Sequence, residues 1–445
     1  MRSYFAAVVL VASCDGSITL EVAGDRPIPR ALDAICVGIA DTDEDGGHLG
    51  QLYPLVGELA SLPQTLRVTP GGAGSAYLWV RGDRGGVPVA YSIARTSFDG
   101  DVRIALDRCP IGRSGVPSPM GAAVGPASAR LVASHGSGNI VVALGAEAVV
   151  IDAQGSKVTA VAGPPLPAGN VVAAIAADID GDCDDDIIVA TDGDAPIVWR
   201  RDHKNFTLGA PLSSGPQAAL AAADIDHDGD VDLVTGIGAT LSLWYNDGAG
   251  KFTLDDEDLR AGGRVTSVRA LALGDVNTDG NADLIVGQAK APMTAWLGGT
   301  NGLFEPNDGV VPPAPLDVAS FAFADADGDP DLDPDLAVAV KGAPMKLYID
   351  REGQLEDQSF PRLPQPAPIA SAIAFASWDA GRCEPDAMVA GATESFALHG
   401  EPDAFTREET PMLDAASDVV MIDLDEDGDL DAVLATPEGV RWLAR

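Results

Sequence analysis

Between residues 168 and 445 one order of hydrophobic and polar positions is repeated. An apolar run (AAIAAD, ALAAAD, ALALGD, FAFAD, VVMID) leads into an Asp-rich segment, and a β-branched run follows (IIVAT, LVTG, LIVG, LAVAV, AVLAT). A short run with a large aromatic comes next: Trp199, Trp244, Trp296, Tyr348, Phe396 and Trp442. A Gly/Asn turn and a Phe often close the unit, as in Asn246–Phe252 and Asn301–Phe304. Apolar runs this short, bounded by turns, predict strands. The first Asp recurs at 178, 224, 275, 325 and 423, at spacings of 46, 51, 50 and 98. The last spacing is two periods, with a degenerate copy around Ser377-Trp378-Asp379 filling the gap. Three to four strands per unit of about 50 residues is the pattern of a β-propeller blade. One blade cannot bury both faces of its sheet, whereas a closed ring of blades can.

Residues 130–161 have the same strand spacing without the Asp segment, and counting them gives seven units. The expected bounds are 128–167, 168–214, 215–262, 263–315, 316–366, 367–412 and 413–445. The last unit is one strand short, a gap that residues 116–127 can fill from the other end of the domain. Residues 15–112 read differently. SITLEV, AICVGIAD, TLRVT, AYLWVRG, PVAYSIAR and VRIAL predict a β-sandwich, and the Pro/Gly/Ser-rich stretch 109–121 suits a linker, set at 113–127. The expected fold is all-β: a seven-bladed β-propeller over 128–445, preceded by a small β-sandwich.

Charge sharpens this picture. Asp+Glu 67 against Lys+Arg 28 gives a net charge of -39, which repels phosphate backbones and excludes nucleic acid as a natural partner. Five segments totalling 47 residues hold 26 of the 67 acidic side chains. A merely solvated face would spread that charge. In Asp224-Ile-Asp226-His-Asp228-Gly-Asp230-Val-Asp232, carboxylates fall at positions 1, 3, 5 and 9, with Gly229 at 6. Alternate oxygen donors around a glycine turn suit Ca²⁺, which takes 6–8 hard ligands at ~2.4 Å. Two carboxylates ~5 Å apart repel by roughly 3 kcal/mol at an effective dielectric near 20, so an ion should organise the loop. An EF-hand would need Glu at position 12, where this chain has Val189, Thr235, Val286, Leu336 and Leu434.

These copies resemble FG-GAP/VCBS repeats, the calcium-loop blades of integrin α-subunit heads and of many bacterial surface proteins. The resemblance implies Ca²⁺ loops between the first and second strands of a blade. Carried over by position, the ligands are Asp178, Asp180, Asp182 and Asp186, then Asp224, Asp226, Asp228 and Asp232, then Asp275, Asn277, Asp279 and Asp283. The last loop supplies Asp423, Asp425, Asp427 and Asp431. The loop at 325–335 is two residues long for the pattern; it offers Asp325, Asp327 and Asp329, with Asp333 or Asp335 at position 9. Cys183 stands where the pattern has Gly, and the copy near Asp379 lacks most ligands. Asp41-Thr-Asp43-Glu-Asp45-Gly46 looks similar but has no Asp at position 9.

The chain begins MRSYFAAVVLVASCDGS, an apolar stretch too short to span a bilayer and suited to a signal peptide. Val11-Ala12-Ser13-Cys14 resembles a bacterial lipobox, so export and a lipid anchor at Cys14 are expected. Of the other cysteines, Cys36 and Cys109 lie near the two ends of one domain and suit a disulfide. Cys183 and Cys383 could pair only if their loops meet across the fold. The five histidines (His48, His135, His203, His227, His399) are scattered, with no HExxH, GxSxG or P-loop pattern. The blade aromatics are expected between blades rather than on sugars. Arg81-Gly82-Asp83 is expected on a hairpin without adhesive meaning. The reading is a calcium-binding module of the cell envelope or surface that holds a protein or glycan. The alternative is a polysaccharide lyase or hydrolase with its site between blades.

Overall fold

A computed structural model gives the architecture. It describes residues 118–444 apart from short gaps (136–138, 155–156, 203–204, 213, 256–258, 260–262, 328–333, 377–384, 402, 409–412 and 426–429), together with seven strands before residue 118. Cys14, Cys109, Cys383, His48, His203, Asp43, Asp45, Asp329, Asp333, Asp427 and the Ser377-Trp378-Asp379 copy lie outside the described residues.

Residues 130–162, 171–208, 219–254, 268–306, 318–357, 372–407 and 418–444 form seven antiparallel sheets. The first six contribute four strands each, and the last has only three of its own. Ser118–Val124 supplies the fourth, with Val440 opposite Val124 and Ala444 opposite Ser118. The missing strand thus comes from inside the segment expected to be a linker, as the length of the last unit implied. The first strand of each blade contacts the first strand of the next, and the seventh returns to the first, so the ring is closed.

Chain chemistry follows position in the ring. First strands crowd together at the hub and are rich in small residues, as in VVAAIAA, ALAAA and AIAFA. Second strands are covered on both faces by neighbouring blades. Asp186–Thr191, Asp283–Gln288, Asp335–Val340 and Asp431–Thr436 are buried at every residue. That explains their continuous rather than alternating apolar runs. Packing there is tight enough that a Cβ on Gly287 would come within 2.6 Å of Val318. Seven apolar clusters fill the seven blade interfaces, for example Val142, Val150, Ile187 and Trp199 between blades 1 and 2.

The repeated aromatics belong to these clusters, and none exceeds 4% exposure, which leaves no ring free to stack on a sugar. Trp199, Trp244, Trp296 and Tyr348 share one register, opposite the residue after the last Asp of the loop. In blade 6 Leu398 holds that register and Phe396 lies two residues earlier. In blade 7 Leu443 holds it, and the one-residue slip turns Trp442 to the opposite face, towards blade 1. The six aromatics read as equivalent in the sequence are therefore equivalent in four blades only.

Ahead of the ring, Ile18–Ala23 pairs with Gln64–Val68 and Val102–Ala105 in a three-stranded sheet. A four-stranded sheet joins Leu49–Pro54, Ala34–Asp41, Ala76–Arg84 and Val87–Thr96. Ile35, Val37, Leu78 and Val80 are buried in this sheet. Leu49–Pro54 was not among the expected strands. Arg81-Gly82-Asp83 lies on a hairpin as expected, near the end of Ala76–Arg84 where it pairs with Val87–Thr96, and its strand also pairs with Ala34–Asp41.

Candidate metal centres

Each Asp segment is the hairpin loop joining the first to the second strand of a blade. The closing pairs are Ala177–Asp186, Ala223–Asp232, Gly274–Asp283, Ala324–Asp335 and Ile422–Asp431. Asp335, not Asp333, is thus the position-9 residue of the long loop. In the three fully described loops two positions take left-handed backbone. Position 6 has Cys183 (φ 72), Gly229 (φ 97) and Gly280 (φ 91). Position 4 has Gly181 (φ 75), His227 (φ 63) and Thr278 (φ 55), a demand the sequence did not advertise. Cys183 is buried and disulfide-bonded, and that cross-link holds a side chain where glycine is the unstrained choice.

Position 1 caps the loop from within. Asp178 accepts the N–H groups of Gly181, Asp182 and Cys183 at 2.9–3.1 Å, and Asp275 accepts those of Asp279 and Gly280 at 3.0 and 3.1 Å. Position 9 has a different task. One oxygen of Asp186, Asp232, Asp283 and Asp335 accepts an N–H near the end of the third strand, from Arg201, Asn246, Gly298 and Asp350 at 2.7–2.9 Å. The second oxygen of Asp232, Asp283, Asp335 and Asp431 accepts the position-2 N–H of the loop, from Ile225, Val276, Ala326 and Leu424 at 2.7–3.0 Å. Asp386 of blade 6 keeps the first contact, with Gly400 at 2.9 Å, although the segment before it lacks the alternating acids of the other copies. This position is therefore a structural pin in every such blade.

Three carboxylates converge within 4.8 Å in four loops: Asp178/Asp180/Asp182, Asp224/Asp226/Asp232, Asp325/Asp327/Asp335 and Asp423/Asp425/Asp431. Asp228 stays outside its trio, exposed, and accepts the Asp230 N–H at 3.0 Å. Asp186 lies deeper than its trio. The third loop gathers no trio: Asn277 stands at position 3, and its amide donates to Asp279 at 3.0 Å. An all-oxygen donor set fits a hard cation. So does the second-blade loop, where Asp180 Oδ1 and Asp186 Oδ2 are buried and accept no hydrogen bond. Burial, followed by like-charge neighbours, pushes Asp232, Asp283 and Asp431 up to about 7 and Asp186 to about 9. Those are carboxylates held at a cost that a bound cation would relieve.

Neighbouring loops touch around one end of the ring. Asn139 Nδ2 donates to the Asp423 carbonyl at 2.7 Å, and the His135 N–H donates to Asp185 at 2.9 Å. Asn246 Nδ2 donates to the Ile179 carbonyl at 2.8 Å, and His227 Nε2 lies 2.9 Å from Asn281 Oδ1. Arginines join this end unannounced by the repeat. Arg201 is buried and donates to the carbonyl and hydroxyl of Ser134 and to the His135 carbonyl at 2.8–3.1 Å. Arg200 lies 3.9 Å from Asp180, while Arg351 and Arg362 meet Asp327. Only their spacing from the blade aromatic could have marked Arg200 and Arg201 in the sequence.

At the other end, about 760 Å³ of cleft opens where blades 1, 2 and 7 begin. Its lining includes Arg130, Glu147, Pro165, Asn170 and Asp418. Arg130 lies 3.9 Å from the buried Asp418, whose carboxylate accepts the Leu131 N–H at 3.0 Å.

Residues 178–235 and 224–286 match the FG-GAP-like repeat family. No curated protein sequence is significantly similar to the chain. Among solved structures, the BP39L lectin from Burkholderia pseudomallei superposes with a TM-score of 0.53 at 16% identity, over 71% of this chain and 95% of that one. Sqt1 of Saccharomyces cerevisiae gives 0.50 at 8% identity, over 74% and 99%. The chain thus carries FG-GAP-like repeats on a seven-bladed β-propeller.

Proposed function

We propose that this protein is a calcium-stabilised binding module of the bacterial envelope or surface, exported and lipid-anchored through Cys14, whose ligand is a protein or a glycan. The observation that carries the reading is the separation of two ends. Carboxylate trios sit in the hairpins that follow the first strands, whereas the cleft opens where those strands begin. Calcium in the trios is then remote from the ligand and acts on the scaffold. The lectin from Burkholderia pseudomallei, which has the same fold, supports a carbohydrate as one class of ligand.

The test is a glycan array probed with the intact protein in calcium, beside capture of purified envelope proteins. Retention that is lost on Arg130→Ala and kept by an outer-strand variant such as Leu208→Ser is the expected result. Turnover of a bound glycan would replace this reading with an enzyme. Retention unaffected at the cleft would place the ligand elsewhere.

A further inference from the structure

We infer that Asp327, the position-3 carboxylate of the fifth blade, is held by two guanidinium groups rather than by a divalent ion. Its side chain is only 4% exposed, and one of its oxygens takes both Arg351 Nη2 at 2.9 Å and Arg362 Nη2 at 3.4 Å. The two arginines come from different places. Arg351 follows the third strand, Lys346–Asp350, and is anchored by Nη1 donating to the Asp350 carbonyl at 2.8 Å. Arg362 ends the short turn Ser359–Arg362 beyond the outer strand, and its side chain is 11% exposed. Asp335, a second member of the trio, has one oxygen taken by the N–H groups of Ala326 and Asp327 and the other by that of Asp350.

A carboxylate oxygen shared by two guanidinium groups has little lone-pair density left for a metal. A dication beside them would also meet two like charges at close range. Guanidinium supplies fixed donors and a permanent charge, so it can do without exchange what an ion does by binding. The second-blade loop differs in degree: a single guanidinium, Arg200, stands 3.9 Å from Asp180.

The inference rests on calcium occupying the other trios, and the experiment separates the two claims. Calcium stoichiometry is measured by calorimetry on the full protein, on Asp327→Asn and on Arg351→Gln/Arg362→Gln, with melting curves in calcium and in chelator. Asp327→Asn should bind as many ions as the parent, and its melting temperature should fall equally in both media. The double variant should gain one ion. One ion fewer in Asp327→Asn, or no gain in the double variant, overturns the inference. No calcium binding by the parent would sink the metal reading of the other loops. In that case melting temperature alone decides Asp327: a deficit in Asp327→Asn that Arg351→Gln/Arg362→Gln reproduces supports the guanidinium pair, and no deficit in either variant overturns it. Should the double variant not fold, Asp327→Asn alone carries both readouts.

Discussion

The first and third blades have the same strand order but fix their inner hairpins by different means. In the third blade, Asp224, Asp226 and Asp232 converge within 4.8 Å, a gathering of like charge that asks for a cation. In the first blade there is no Asp loop. Its hairpin is gripped from blade 2, where the buried Arg201 donates to Ser134 and His135, and Asp185 accepts the His135 N–H. The Ser134 hydroxyl donates to the Asp185 carbonyl at 2.8 Å. The contrast teaches that a blade needs its hairpin fixed and not a metal as such. An ion is one way to fix it, and permanent side-chain donors are another.

The largest expected effect separates the two ends of that comparison. With calcium tenfold above Kd, each filled site adds ~1.4 kcal/mol. Three trios without the paired arginines then give about 4 kcal/mol, which chelator should remove and calcium restore. Next comes Arg201→Met. It strips donors from buried carbonyls in the first blade, with an expected loss of about 3 kcal/mol in denaturant melts, equal in calcium and in chelator. A calcium-dependent loss would mean that the first blade is not self-sufficient. Asp226→Ala should be smaller and conditional. In calcium it loses about 1.4 kcal/mol, the contribution of one site. In chelator it should be neutral or stabilising, because a like-charge neighbour of Asp228 and Asp232 has gone.

The pH response is the smallest effect and distinguishes metal-free from loaded protein. Asp232, Asp283 and Asp431 are raised to about 7 and Asp186 to about 9, against 3.8 for a free carboxyl. A raised carboxyl favours the folded state while it is protonated. That contribution is complete below about pH 4 and is lost as pH rises through 7, and for Asp186 through 9. In chelator the melting temperature should therefore fall between pH 5 and pH 8. In calcium the bound ion holds the carboxylates ionised, so the fall should flatten and calcium affinity should grow with pH. Melting curves at three pH values in each medium read this directly.

Much of this was legible in the chain because each blade writes the same constraints again. The apolar runs marked the doubly covered second strands, and a last unit one strand short pointed to residues 116–127, within which Ser118–Val124 closes the ring. The loops were legible as carboxylate clusters. The split of labour within them was not, because position 9 pins two backbone N–H groups, a task invisible without the third strand beside it. Register was likewise hidden. Trp442 sits one residue away from the slot held by Trp199 and its equivalents, and only strand pairing reveals that such a slip turns a side chain to the other face. Arg201, Arg351 and Arg362 act across distances of 24 to 67 residues that no local motif records.

The most direct measurement is an electron-density map from crystals grown in millimolar calcium. The expected map has an ion at Asp224/Asp226/Asp232 and at Asp423/Asp425/Asp431, each ringed by 6–8 oxygens at ~2.4 Å, in a closed ring of seven blades. Trios without density for an ion, or with carboxylates splayed apart, would contradict the account.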